Sequence, residues 1–358
     1  MDTMNPPNCV INYNIPYHWI MEYSPYFTIW FYLFLILFIM DQAGGGKFTE
    51  NHFAALFHHF WNIVHHFYLT IFYRPVAYLP LFGFQIGGLT RTWNINAIEL
   101  WIFWVWIFYM VFLSIVYIFY VRLKMVYKMI VLNRYKTLVN YSGLAWYLSI
   151  FITLSCGSSI LLVFLSTPFV VQIKENAIRK YNNNIIFCPD FAIVDLSMWQ
   201  TILPNALSAI GILILFLLMI FMMVVSVLVL NTSTKLSSQK TLNTQRSLMQ
   251  HFIMQVSSHG IFLFSPLAVC FILHFLDRLN NVSIYTAIFF LAHQGVLTII
   301  IFTIVSPIPS ASAAYRSLSV KSIYLFVRTF GKMNPKSTTT PVLVRTKTNS
   351  LSRRSDHI

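Results

Sequence analysis

Residues 210–230 read IGILILFLLMIFMMVVSVLVL, a run in which only Gly211 and Ser226 interrupt large apolar side chains. At 1.5 Å rise per residue, about 20 such residues cross the roughly 30 Å hydrocarbon core of a bilayer as one helix. Leu100–Val121 and Ile284–Val305 are likewise uncharged and long enough. Leu144–Phe169 and Phe252–Phe275 are uncharged too, but between them carry Ser, Gly, Pro, Gln and His. That composition suits helices that face protein rather than lipid on every side. Tyr26–Met40 is strongly apolar but short, so it predicts a first span that stands nearly upright. The stretch from Phe57 to Gly88 holds four histidines, Arg74, Pro75 and Pro80, yet apolar residues dominate it, and a second span is expected at about Trp61–Phe82. The expectation is an all-α membrane protein, a bundle of seven transmembrane helices.

Composition points the same way. Of 358 residues, 57% are apolar and only 9% charged, against roughly 25% charged in soluble domains. The 33 Phe, 19 Tyr and 9 Trp suit helices that meet lipid and end at the headgroups. The chain reads as an extracellular segment over 1–24, a membrane domain over 25–305 and a cytoplasmic tail over 306–358. A net charge of +14 could suggest nucleic acid, but Lys and Arg sit mostly between apolar runs or in the tail. The partners expected are therefore anionic membrane lipid and a cytoplasmic protein, and no nucleic acid.

The basic residues also set direction. Lys47, the cluster from Arg122 to Lys136, Lys235, Lys240, Arg246 and the tail place 18 Lys and Arg on one side. The other side holds five, Arg91, Lys174, Arg179, Lys180 and Arg278. The excess belongs inside, with the N-terminus outside and the C-terminus inside. That orientation puts the sequon at Asn281 outside, where it could be glycosylated. Cys9, Cys156, Cys188 and Cys270 are too few for a disulfide scaffold. Only Cys9 and Cys188 fall in outer segments, where they are a candidate disulfide pair.

Residues that could carry chemistry cluster in the second span. His52, His59 and His66 share one helix face and His58 and His65 the neighbouring one. His59 and His66 are candidate metal ligands; the competing reading is a helix end at the inner interface whose histidines face protein and water. Arg74 and Glu99, ionisable at membrane depth, could pair across a helix gap or meet a ligand of opposite charge. His274 and His293 are further candidates for lining a cavity. Pro168, Pro204 and Pro266 permit kinks in or near the fourth, fifth and sixth spans. In the tail, Ser317–Lys332 alternates apolar and basic residues, as a short helix lying in the inner interface would. There is no Walker motif, dinucleotide fingerprint, GxSxG elbow or internal repeat, so neither a cofactor nor a nucleotide-driven pump is expected.

Three stretches carry a family resemblance. HHFYLTIFYRPVAYLPLFGFQIGGL, from His65 to Leu89, is similar to the second helix of nematode serpentine chemoreceptors of the Str-type superfamily, especially the Srh and Sri branches, through Pro75, Pro80, Gly83, Gly87 and Gly88. QRSLMQHFIMQVSSHGIFLFSPLAV resembles their sixth helix in Gln255 and Pro266. AHQGVLTIIIFTIVSPIP resembles their seventh in Gly295 and Thr298, with His293 displaced by one residue. The Pro-Tyr-Arg those receptors carry after the seventh helix is absent, Tyr120-Val121-Arg122 stands where others have Asp-Arg-Tyr, and no cysteine opens the third helix.

The resemblance implies a chemosensory G-protein-coupled receptor in the plasma membrane, and in a sensory cilium, not an enzyme. It implies a small-molecule ligand bound from outside, with Arg74, Glu99, His274 and His293 as candidate contacts. It also implies a heterotrimeric G protein inside, facing Arg122, Lys124, Lys128, Lys240 and Arg246. A transporter or ligand-gated conduit lined by Gln255, His259, His293 and Gln294 is the alternative, and a membrane metalloenzyme built on the histidines a third.

Overall fold

A computed structural model describes residues 9, 11, 14–43, 48–79, 83–93, 95–129, 136–164, 174–179, 186, 188–193, 199–233, 254, 257–276 and 278–305. The chain divides into two units, Met1–Tyr315 and Arg316–Ile358, and all described residues belong to the first. The tail segment 317–332, with Lys240 and Arg246, lies outside them.

Helix α1 runs from Ile15 to Ala43 and is not short. Asn14 caps it by accepting the Tyr17 N–H at 3.2 Å, and Pro16 sits in the first turn, where no N–H is needed. Its 29 residues extend about 43 Å. The polar residues His18 and Glu22 hide this start in the sequence, but both are used where α1 meets Arg74.

The second helix differs most from expectation. Helix α2 occupies Glu50–Phe67, continues as a π turn over Tyr68–Tyr73 and stops at Arg74. The span expected at Trp61–Phe82 is thus displaced toward the N-terminus. Pro75 disfavours helical backbone in the residue before it, and Arg74 takes a left-handed conformation with φ 39°. Pro75–Tyr78 then forms strand β1. The histidines do not mark a helix end either, since His58, His65 and His66 are buried and the helical chain continues beyond them through the π turn to Tyr73.

Strand β1 pairs antiparallel with β2, Gly83–Ile86, which pairs antiparallel with β3, Phe191–Ile193. Two glycines permit close approach here. A side chain at Gly88 would collide with the carbonyls of Ile71 and Phe72, and one at Gly83 with the Phe191 ring.

Helix α3, Ala97–Met129, is capped by Asn96, whose Oδ1 accepts the Ile98 N–H at 3.1 Å. It is the most buried of the long apolar helices, with Ile107, Tyr109, Val111, Ile115 and Phe119 wholly enclosed. Helix α4 is Lys136–Phe164, α5 is Trp199–Ser233, and α7 is Asn281–Val305. Helix α6, Ser265–Phe275, follows a π turn at Gly260–Phe264. Pro266 has no N–H to give the preceding turn, and such π turns absorb a broken hydrogen-bond ladder.

Helix α3 packs on α2, α4 and α5; α7 packs on α1, α2 and α6; α1 lies on α2, and α4 on α5. Within the described residues, Ile15–Leu37, Ala97–Met125, Ala206–Leu228 and Asn281–Ile301 are long and apolar enough to cross a membrane. On α5, Ile210, Leu213, Leu217 and Leu228 point outward, as lipid-facing side chains do.

Candidate functional site

The first structured region is a cap over one end of the bundle. Cys9 and Cys188 are joined by a disulfide that ties the N-terminal segment to the chain just before β3. Around it Ala177, Ile186, Phe191 and Ile193 form a small apolar core of their own. Asp190 holds the sheet to the preceding chain: its carboxylate accepts the Gln85 Nε2–H at 2.9 Å and pairs with Arg91 Nε at 3.1 Å. Its carbonyl accepts the Ile86 N–H at 2.9 Å. Arg91 also donates to the Cys9 carbonyl at 2.6 Å, and Lys174 to the Cys188 carbonyl at 3.0 Å. Burial pulls the Lys174 ammonium below its ordinary pKa, an effect the nearby Asp190 partly offsets.

Beneath the cap lies a chamber of about 370 Å³, within the range of small-molecule sites. Phe84 of β2 roofs it and stacks on Trp101 with ring centroids 5.1 Å apart. Phe108 of α3 and Ala287 and Leu291 of α7 form its buried walls, beside the half-buried Trp104. Ala209 and Ile212 of α5, with Leu267 and Ala268 of α6, complete it. Nearly every lining group is hydrocarbon or aromatic, so the chamber can hold an uncharged apolar molecule and offers a charged one no counter-ion.

Beside the chamber the bundle interior is polar. Ser114 donates its hydroxyl to the Val111 carbonyl at 2.6 Å, so His58 Nδ1–H is the donor in the 2.9 Å bond to Ser114 Oγ. His58 Nε2 is then the acceptor for Asn62 Nδ2–H at 2.9 Å. Asn62 Oδ1 in turn accepts from Gln294 Nε2–H. One directed chain of hydrogen bonds therefore joins α7 to α2 and α2 to α3. A second link lies nearby. His66 Nδ1–H donates to the Ala292 carbonyl at 2.9 Å, leaving Nε2 to accept from Thr28 of α1 at 2.6 Å.

The candidate contacts Arg74, Glu99, His274 and His293 are not brought together in the chamber. Arg74 Nε donates to the Thr70 carbonyl at 3.0 Å, and its guanidinium meets Glu22 at 3.4 Å and His18 at 3.3 Å. Its acidic partner comes from α1, not from Glu99. Glu99 is exposed at the edge of a separate outward-facing hollow between α2 and α3 that also touches Phe67, Tyr68 and Phe103. His293 lies against His66, with ring centroids 5.0 Å apart, and donates to the Phe289 carbonyl at 2.8 Å. His274 is on α6, and its side chain lies outside the described residues.

Both ring nitrogens of His66 are occupied, so it offers a metal no lone pair while those bonds last. His59 is half-buried one turn or more away on α2. Among the described residues the one group of three metal-ligating side chains is Cys9, Cys188 and Asp190, and its sulfurs are bonded to each other.

At the opposite end, Lys124 of α3 pairs with Glu50 at the start of α2 at 2.9 Å. Arg122 is half-buried, and the Lys128 side chain lies outside the described residues. Asn281 is exposed as the first residue of α7, beside Asn280, which caps the helix by accepting the Ser283 N–H at 2.8 Å. Reading the sequence missed Phe84, Trp104, Ala287 and Leu291, which carry no chemical signature, and Asn62 and Ser114, which stand as isolated polar residues in apolar runs.

Comparison with known proteins places this arrangement. No curated protein and no solved structure matches the chain. Residues 46–309 match the family described as serpentine type 7TM GPCR chemoreceptor Srh, a span that takes in α2 through α7, the cap's sheet, the chamber and the polar seam. The protein belongs to the Srh family of seven-transmembrane G-protein-coupled chemoreceptors.

Proposed function

We propose that this chain is a seven-span receptor, N-terminus outside and C-terminus inside, that binds a small apolar molecule in the capped chamber and activates a heterotrimeric G protein at the opposite end. The observation that carries the reading is the chamber itself, about 370 Å³ of hydrocarbon-lined space under a disulfide-tied cap, in a chain of a chemoreceptor family. It touches α3, α5, α6 and α7, so a molecule filling it favours whichever packing of those helices fits it best. The basic excess supports the orientation, since the cap end, with Arg74 now at the close of α2, holds six basic residues and the other side 18.

Arg122 and Lys124 stand at the inner end of α3, and Lys128, Lys240 and Arg246 follow on the same side in sequence. They are the groups proposed to meet the G protein. The Lys124–Glu50 pair ties α2 to α3 there, and its opening would free a cation for the partner.

The test is nucleotide exchange. The receptor is reconstituted in lipid nanodiscs with each class of heterotrimeric G protein and screened against a library of small uncharged apolar compounds. At least one compound should change the GTPγS-binding rate, and Ala287→Leu, which puts an isobutyl group into the chamber, should remove that response. No change of rate with any G protein across the library contradicts the reading.

A further inference from the structure

The cap shuts the chamber toward the outer water, whereas the wall facing α5 and α6 is the leaky one. On the α3 and α7 sides Val105, Phe108, Ile284, Ala287, Ile288 and Leu291 are at most 9% exposed, and the half-buried Trp101 and Trp104 stand next to the Phe84 roof, on which Trp101 stacks. The roof is equally tight, with Phe84 at 6% and Tyr73 at 0%. On the other side Ser208, Ala209, Ile212, Leu267, Ala268 and Cys270 are only half-buried, and Leu213 is 44% exposed. One turn deeper, Phe216 of α5 and Phe264 of α6 stack at 4.5 Å and close the gap.

From this geometry we infer that the chamber opens sideways between α5 and α6 into the hydrocarbon of the bilayer, and that its ligand is a lipid-soluble molecule that enters from the membrane. The inference rests on reading the chamber as the ligand site. The surface around the opening is apolar, with Ile210 and Leu217 on α5 and Ile261, Val269 and Ile272 on α6 all exposed large side chains. They sit in lipid, so the opening faces lipid too. The lining that α5 and α6 give this side includes the small groups Ser208, Ala209 and Ala268, which obstruct a passage less than larger side chains would.

Helix α6 can yield at this point. The π turn at Gly260–Phe264 and Pro266 lie just below the rim; Ser265 N–H donates to the Gly260 carbonyl, Pro266 has no N–H to give, and Ser265 Oγ donates to the Ile261 carbonyl. A ladder already broken there lets Ser265–Phe275 pivot without losing more backbone bonds. Entry through lipid also favours this ligand class by concentration, since each methylene enriches a solute in the bilayer about fourfold.

Cys270 is a built-in reporter, because it is a free thiol on the α6 wall of the chamber. In nanodiscs carrying the Cys156→Ser receptor, two reagents of one chemistry are compared, octyl methanethiosulfonate and its charged trimethylammonium-ethyl analogue, with adducts located by mass spectrometry. The octyl reagent should label Cys270 and the charged reagent should not. Ala209→Phe and Ala268→Phe, which narrow the rim from opposite helices, should each slow octyl labelling at least tenfold.

Labelling of Cys270 by both reagents at equal rates overturns the inference, as does labelling by neither. So does an octyl rate unchanged in the rim variants. If one rim variant fails to fold, the other and the two reagents on the unaltered rim still decide. No ligand and no G protein take part, so failure here moves the entrance alone, whereas absent nucleotide exchange with sideways labelling intact removes only the receptor reading.

Discussion

Two regions of the bundle interior lie side by side and are built on opposite terms. Around the chamber, Phe84, Trp104, Phe108, Ala287 and Leu291 enclose space and make almost no directional bonds across it. Along the seam, Gln294, Asn62, His58 and Ser114 leave no room and are joined donor to acceptor from α7 to α3. Both lie inside the bundle, where an unmade hydrogen bond costs more than unfilled apolar space. The contrast teaches where this fold tolerates change: the seam sets the register of α2, α3 and α7, and the chamber is free to vary in shape.

The sharpest way to break that contrast is Asn62→Leu. It removes the group that serves both His58 and Gln294 and strands two buried partners, so it should lower stability by about 2–4 kcal/mol. A thermal melt of purified receptor in nanodiscs checks this. Gly295→Ala should come next. A methyl there would lie 2.6 Å from the Tyr32 hydroxyl and 3.1 Å from Asn62 Cβ, wedging α7 away from α1 and α2 at a cost of about 1–3 kcal/mol. The same melt measures it. The smallest effect belongs to the chamber. Ala287→Leu adds bulk at a buried position, yet the added atoms enter open space, so stability should change by less than about 1 kcal/mol. A loss as large as that of Asn62→Leu would erase the distinction.

The apolar scaffold was plain in the sequence, because α5, α7 and the Leu100–Val121 stretch of α3 are long uncharged runs that admit one reading. The start of α1 was hidden by Pro16, His18 and Glu22, which look unlike a span until they are seen to cap the helix and to meet Arg74. The sheet was hidden for another reason: strands of three or four residues such as Phe191–Ile193 have too few positions to show a period of two. The prolines after Arg74 were legible as marks of the family, but not as the end of the helix. Cys9 and Cys188 were legible as a pair because only they fall outside the spans.

The polar seam was half legible. Histidines in a span are conspicuous, but their partners are not, since hydrogen bonds between α2 and α7 join residues 232 apart in sequence. Arg74 shows the limit of such guesses: Glu99 is the nearer acid along the chain, and packing supplies Glu22 from α1. The chamber was not legible at all, because its walls are common apolar residues drawn from several elements and its function lies in the space they leave.

That space is the centre of the account, and one measurement addresses it most directly. Melting temperatures of the unaltered receptor and of Ala287→Leu are compared across the library of small apolar compounds in nanodiscs. If the chamber is the ligand site, compounds that raise the melting temperature of the unaltered receptor will leave Ala287→Leu unmoved. Equal shifts in both proteins would place the ligand elsewhere and contradict the account.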